Sequence, residues 1–397
     1  MSGDNPRSDE ATVLPAEARF PPNEIISLLD VNRTHNLAES TARNLHFGEL
    51  VELVGGFEAL RDIELGYGSS AGLPALREVL GVCCGIAADK IVTTQGTSLA
   101  LFLLAFELCR AGDEVVLATP CFPPSRDTLG ACGVATREVS LRFDDGYRLD
   151  PDRLAQAMTA RTRLVSIASP QNPSGVSVDE ATLRALLDRM SERAPRAFLL
   201  VDETYREATY GGAPVPPSAA GLDPRVIVVS SVSKAHGAPG LRVGWLTTHD
   251  ASLRERLIVA KLNTVISGAI LDEVLAAGLL QRRDAVLAPR RQQLGRALEL
   301  LAQWCAGERV RIDWVRPDGG ALCCVRLRPD VFDVRTVERF WALLPAHELQ
   351  LAAGSWFGDA EGRRVFRLGF GFLPEASLAP ALERLSIAMD AALTVVR

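Results

Sequence analysis

The sequence predicts an α/β fold: a mostly parallel sheet covered by helices on both faces, followed by a smaller α+β unit. Three observations carry this. Short unbroken runs of Val, Leu and Ile alternate with helical periods from about residue 73 to about residue 285. Strands buried on both faces read in this way, and parallel neighbours need a helix in each crossover. A chain of 397 residues also exceeds one ordinary core, and beyond about residue 285 the pattern changes to a long Arg-rich helix and mixed segments.

Residues 1–22 are polar and Pro-rich with no apolar stretch, and read as a flexible arm rather than a signal peptide. Leu73–Val82 has a helical period, Lys90–Thr94 is a short strand, and Ser98–Arg110 is an apolar helix. Glu114–Thr119 and Arg137–Leu141 read as strands. A helix over Pro151–Met158 precedes the strand Leu164–Ala168. A helix over Glu180–Arg193 leads to the strands Phe198–Asp202, Val226–Ser231 and Leu241–Thr247, and Pro289–Ala306 is the long Arg-rich helix.

Hydrophobic residues make up 47% of the chain and charged residues 23%, as in ordinary soluble globular proteins. A net charge of −6 gives no basic field for nucleic acid or an anionic membrane. No run approaches the roughly 20 apolar residues of a membrane span. The eight cysteines sit mostly in apolar runs without CxxC or Cys/His spacing. They read as reduced, buried thiols of a cytoplasmic protein, and no metal is expected. Of 43 Lys and Arg residues only Lys90, Lys234 and Lys261 are lysine, so few side chains can serve as an amine nucleophile.

The motifs fall just after strands, where ligands sit in parallel sheets. Gln95-Gly96-Thr97-Ser98 opens a helix whose N-terminus offers free N–H groups to a phosphate, although an ordinary cap gives the same pattern. Ser169-Pro170-Gln171-Asn172-Pro173-Ser174-Gly175 is a rigid turn that can aim the Asn172 amide into a cleft. Asp202 ends an apolar strand, either as a helix cap or as the partner of a cation held there. Lys234, after a buried strand and amid Ser and Gly, is the sharpest signal. A desolvated amine there can lose its proton and condense with an aldehyde.

Taken in order, GTS, P-x-F-P, NPSG, DETY, SxxK…GLRVGW and FRLGF resemble the class I/II aminotransferases, enzymes of pyridoxal-phosphate (PLP) fold type I, over about residues 44–385. The resemblance implies a seven-stranded, mostly parallel sheet. It also implies a large PLP-binding domain over 61–285 and a small domain formed by 23–60 and 286–397. It implies that Lys234 holds pyridoxal 5′-phosphate as a Schiff base and moves the substrate Cα proton. Asp202 is then the partner of the pyridine nitrogen, Asn172 and Tyr205 bond the ring oxygen, and Phe122 stacks on the ring. Thr97, Ser98, Ser231 and Arg242 match phosphate-binding positions, and Tyr67 matches a tyrosine that reaches the phosphate from the partner subunit of a homodimer. Arg367 matches the arginine that clamps the substrate α-carboxylate, and Gly48 matches a glycine whose N–H meets the same group.

The implied reaction is transamination of an L-amino acid with a keto-acid acceptor. Two departures keep another fate open. Ala353 stands where relatives often carry Pro, which predicts a looser loop over the substrate, and His35-Asn36-Leu37-Ala38-Glu39 does not match simple transaminases. NLHFGEL together with SSVSKAHGAPGLRVGW is also similar to PLP cyclases of antibiotic biosynthesis. Elimination, replacement, cyclisation or oxidation at a side-chain carbon, in specialised metabolism, is therefore the second expectation. His35 and His46 are the candidates for its extra acid or base.

Overall fold

The computed structural model describes residues 18–25, 31 and 33–394. The expected arm over 1–22 thus lies largely outside the described residues.

Seven strands build the main sheet: β1 (Ile91–Gln95), β2 (Glu114–Thr119), β3 (Ala135–Ser140), β4 (Thr162–Ala168), β5 (Phe198–Asp202), β6 (Val226–Ser231) and β7 (Val243–Thr247). Their spatial order is β1-β7-β6-β5-β4-β2-β3. All neighbours pair in parallel except at β7, which runs antiparallel to both β1 and β6. Every residue of β2, β6 and β7 is buried, as unbroken apolar runs require in a sheet covered on both faces.

The helices supply that cover. Glu180–Arg193 buries Leu183, Leu186, Leu187 and Met190, one stripe at helical spacing, and the Asp179 carboxylate caps it by accepting from the Thr182 N–H at 2.7 Å. Each such side chain contributes about 1.5–3 kcal/mol on burial. Gly96–Leu108 is apolar almost all round, and packs against the sheet and against the helices Pro123–Ala131 and Ala251–Val265.

A second sheet is antiparallel, with β8 (Ile312–Val315), β9 (Leu322–Leu327), β10 (Ala352–Ala353) and β11 (Val365–Gly369) in the order β10-β11-β9-β8. The N-terminal segment is bound to this region. His35–Asn36 pairs in parallel with Leu349–Gln350, and the Gly369 N–H donates to the Leu37 carbonyl at 2.7 Å. A Cβ at Gly369 would lie 1.8 Å from the Glu39 carbonyl oxygen, so only glycine lets the two backbones approach this closely.

Some boundaries differ from expectation. The strand expected from Leu241 starts at Val243, because Pro239–Leu241 forms a turn and Arg242 adopts φ 52°. The long helix expected from Pro289 starts at Arg283 and runs to Gly307, because burial of Val286 and Leu287 outweighs the one hydrogen bond that proline removes. Pro123–Ala131, Ala251–Val265 and Ile270–Gln281 are helices that the sequence pattern leaves unassigned. Ala353 is no loose loop: it is buried, pairs with Phe366 and precedes a tight turn in which Gly354 packs against the Gly362 carbonyl.

Candidate active site

The carboxyl ends of β4, β5 and β6 open into a cavity of about 410 Å³. Ten expected residues line it: Thr97, Ser98, Phe122, Asn172, Asp202, Tyr205, Ser231, Lys234, Arg242 and Arg367. Nine of them come from the strand ends and loops of the main sheet, which its topology brings together, and Arg367 comes from β11 of the second sheet.

Lys234 sits in the turn after β6. Its Nζ donates to the Ser40 hydroxyl at 3.1 Å and lies 3.6 Å from Glu39 Oε1. The Tyr205 hydroxyl donates to the same Ser40 oxygen at 2.9 Å. Backbone bonds fix this arrangement: the Ala42 N–H donates to the Lys234 carbonyl at 3.3 Å and the Leu45 N–H to the Gly237 carbonyl at 2.8 Å. Glu39 Oε1 accepts from the Ser40 and Thr41 N–H groups at 2.8 and 3.0 Å. Burial pushes the Glu39 carboxyl up, but the Lys234 and Arg367 charges and the two N–H donors together hold it below the usual carboxylate range.

Asp202 ends β5, and its Oδ1 accepts from the Thr204 N–H at 2.9 Å. Burial pushes its carboxyl upward, opposed by the Thr204 hydrogen bonds and the Lys234 charge. Among the described residues it forms no ion pair. A cationic ring nitrogen is the partner such a carboxylate lacks, so this end of the cavity fits a pyridinium.

At the other end, Gly96 opens the helix Gly96–Leu108 with φ 68°. A Cβ there would fall 2.4 Å from an Arg242 guanidinium nitrogen, and a Cβ at Gly244 would fall 2.6 Å from the Gly96 backbone. The helix N-terminus, the Thr97 and Ser98 hydroxyls and Arg242 therefore share one small space, which fits a phosphate. Thr97 Oγ1 is 3.2 Å from Thr204 Oγ1, which ties this end to the Asp202 loop.

Arg367 lies in the middle of β11, only 3% exposed. It donates to Asn172 Oδ1 at 3.0 Å and to the Ala38 carbonyl at 2.6 Å, and its guanidinium lies 4.8 Å from the Phe357 ring centroid. Its Nε has no hydrogen-bond partner, and among the described residues it has no salt bridge. Burial lowers its pKa. A buried guanidinium without an acid is a ready receptor for a ligand carboxylate.

Two expected residues do not join this cavity. Gly48 lies exposed in the helix Phe47–Leu53 with open space around it. The wall that the N-terminal segment presents is instead Glu39, Ser40, Thr41 and Asn44. Tyr67 is 86% exposed and does not line the cavity of its own chain. His35 pairs in a short strand and His46 caps the helix Phe47–Leu53, so neither lines the cavity. The residues that sequence reasoning missed are Glu39 and Ser40; the only signal was that the stretch ending at Glu39 is polar without an assigned partner.

The cysteines are all unpaired. Cys121 lines the cavity, and burial pushes its thiol up to about 12, which rules against a thiolate nucleophile at neutral pH.

A family model described as aminotransferase class I and II matches residues 58–385. Capreomycidine synthase of Streptomyces vinaceus is 31% identical over 336 residues, covering 83% of this chain and 84% of that protein. A PLP-dependent aminotransferase from Streptococcus suis superposes with a TM-score of 0.85 at 25% identity, covering 95% of this chain and 100% of that one. The PLP-dependent cyclase OrfR superposes with a TM-score of 0.83 at 25% identity, covering 96% and 99%.

Proposed function

Since the chain belongs to the class I and II aminotransferase family, whose cofactor is pyridoxal 5′-phosphate, we propose that it moves the amino group of an L-amino acid to a keto-acid acceptor, with Lys234 as the attachment point. The bound cofactor supplies an aldehyde that condenses with amines and a ring that accepts electron density from Cα. The observation that carries the reading is one cavity holding a lysine amine, a half-buried carboxylate, Asp202, and a buried guanidinium, Arg367, the last two without a salt bridge among the described residues.

In this reading each residue has a physical task. Arg367 receives the substrate carboxylate in its planar fork, and the Asn172 oxygen that it now bonds keeps that fork oriented. Lys234, once released by the incoming amine, takes the Cα proton and returns it at a second carbon. Asp202 stays ionised when a positive ring nitrogen faces it, because an opposite charge offsets the cost of burial. Asn172 and Tyr205 hold the ring oxygen, and Phe122 covers one face of the ring. Thr97, Ser98, Ser231 and Arg242 anchor the phosphate, so the ring cannot drift while the proton moves.

We also propose a homodimer in which the exposed Tyr67 of each chain completes the phosphate site of the other. A cytoplasmic setting is supported by the unpaired cysteines. No described helix is long and apolar enough to cross a membrane.

A second reading, elimination, replacement or cyclisation in specialised metabolism, is favoured by the similarity to capreomycidine synthase across 83% of the chain and to the cyclase OrfR. A panel of L-amino acids, guanidino amino acids among them, separates the two. Transamination predicts the matching keto acid in a 1:1 ratio with aminated cofactor when no acceptor is present, and further turnover when a keto acid is added. Ammonia or a cyclic product with the cofactor regenerated would replace the first reading by the second.

A further inference from the structure

We propose that Glu39 is a charge-setting residue of the active site, whose carboxylate, with the Ser40 hydroxyl, keeps the nitrogen of Lys234 protonated when that nitrogen carries the cofactor. The proposal rests on the PLP reading given above and adds to it a residue that the family resemblance leaves without a role.

Among the described residues, five charged side chains line the cavity: Glu39, Asp202, Lys234, Arg242 and Arg367. Asp202, Arg242 and Arg367 have tasks at the ring nitrogen, the phosphate and the substrate carboxylate. Glu39 is the one left over, and it alone forms an ion pair with Lys234 among the described residues, at 3.6 Å. It is not held there by chance. Two backbone N–H groups, of Ser40 and Thr41, fix Oε1, and Glu39 lines the cavity. The segment is itself fixed by the Gly369 N–H to the Leu37 carbonyl, and by the Ala38 carbonyl to Arg367.

The other groups facing Lys234 do not duplicate this. Asp202 on β5 also interacts electrostatically with Lys234, but among the described residues it makes no ion pair with it. Among the described residues, the hydrogen-bonded route from Tyr205 to Lys234 runs through the shared Ser40 oxygen. Arg367 on β11 carries a like charge and interacts electrostatically with Glu39 without an ion-pair contact. An opposite charge within about 4–6 Å raises the proton affinity of a cationic nitrogen by roughly one to three pKa units. A protonated linkage is the more electrophilic one, so Glu39 keeps the enzyme ready for an incoming amine at neutral pH.

The test uses the holoenzyme loaded with PLP. Protonation at the linkage changes its visible absorbance, so the midpoint of a pH titration reads the proton affinity without any turnover. Glu39→Gln keeps an oxygen to accept the two N–H bonds and removes only the charge; the midpoint should fall by about one unit or more. Glu39→Asp, which draws the carboxylate back, should fall less, and decides the question if the glutamine variant cannot hold PLP. A Glu39→Gln midpoint within a few tenths of wild type overturns the proposal, as does a Glu39→Asp midpoint at or above that of wild type. So does an unchanged midpoint with a KM rise confined to substrates with a cationic side chain, since Glu39 would then contact substrate instead. A wild-type protein without any visible band defeats the cofactor reading, which is a distinguishable failure.

Discussion

Arg367 combines near-complete burial with the absence of any acid partner among the described residues, and such a guanidinium costs stability unless a ligand completes it. Arg367→Ala should therefore raise KM for the amino acid by about 10- to 100-fold, from the loss of a charge-assisted pair of hydrogen bonds. It should not lower the fraction of folded protein, because the substitution removes a buried unpaired charge; steady-state kinetics beside a thermal melt check both. At this scale the sequence was most legible where function follows a strand. Lys234, Asp202 and Asn172 each stand just past an apolar run, so the position of the residue and the position of the site coincide. Glu39 and Ser40 meet Lys234 across 194 residues or more, through backbone bonds that no local pattern encodes. Gly48 belongs to a motif that is legible locally, but whether that motif lines the cavity is set by tertiary contacts, and in this chain it does not.

The elements show a similar division. Helix 180–193 and strands β2 and β5 announce themselves by period, length and caps, and their bounds match expectation to the residue. The helix Pro123–Ala131 was hidden by two leading prolines that also read as a loop, although proline suits the first helical turn. The most informative junction is between β11 and the segment 37–39, where the Gly369 backbone touches Glu39. Gly369→Ala puts a methyl group against a backbone oxygen rather than a flexible side-chain end. The prediction is a loss of about 1–3 kcal/mol of stability, as for overpacking in a tight core. Displacement of the Glu39 segment should also weaken substrate binding in the protein that still folds. A melt that is unchanged alongside unaltered KM would mean that the two backbones are not in contact.

For the whole molecule, the seven-stranded sheet with one antiparallel strand, the second antiparallel sheet and the family membership agree. What the sequence left open was where the segment around His35 docks: its pairing with Leu349–Gln350 closes a loop of more than 300 residues. The dimer proposal predicts complementation. Lys234→Ala and Tyr67→Ala chains, each inactive or impaired alone, should form mixed dimers in which one of the two sites has both residues intact, so activity should return to a sizeable fraction of wild type on co-expression. Additive activities with no recovery would place Tyr67 outside the partner's site. The most direct test of the central claim is the absorbance spectrum of the PLP-loaded protein beside Lys234→Ala. The account predicts a visible band in the wild type that is absent from the variant, resists dialysis, and is discharged by borohydride into a cofactor bond at Lys234 in a peptide digest. A wild type that binds PLP without that band, or whose reduced cofactor maps to Lys90 or Lys261, would contradict it.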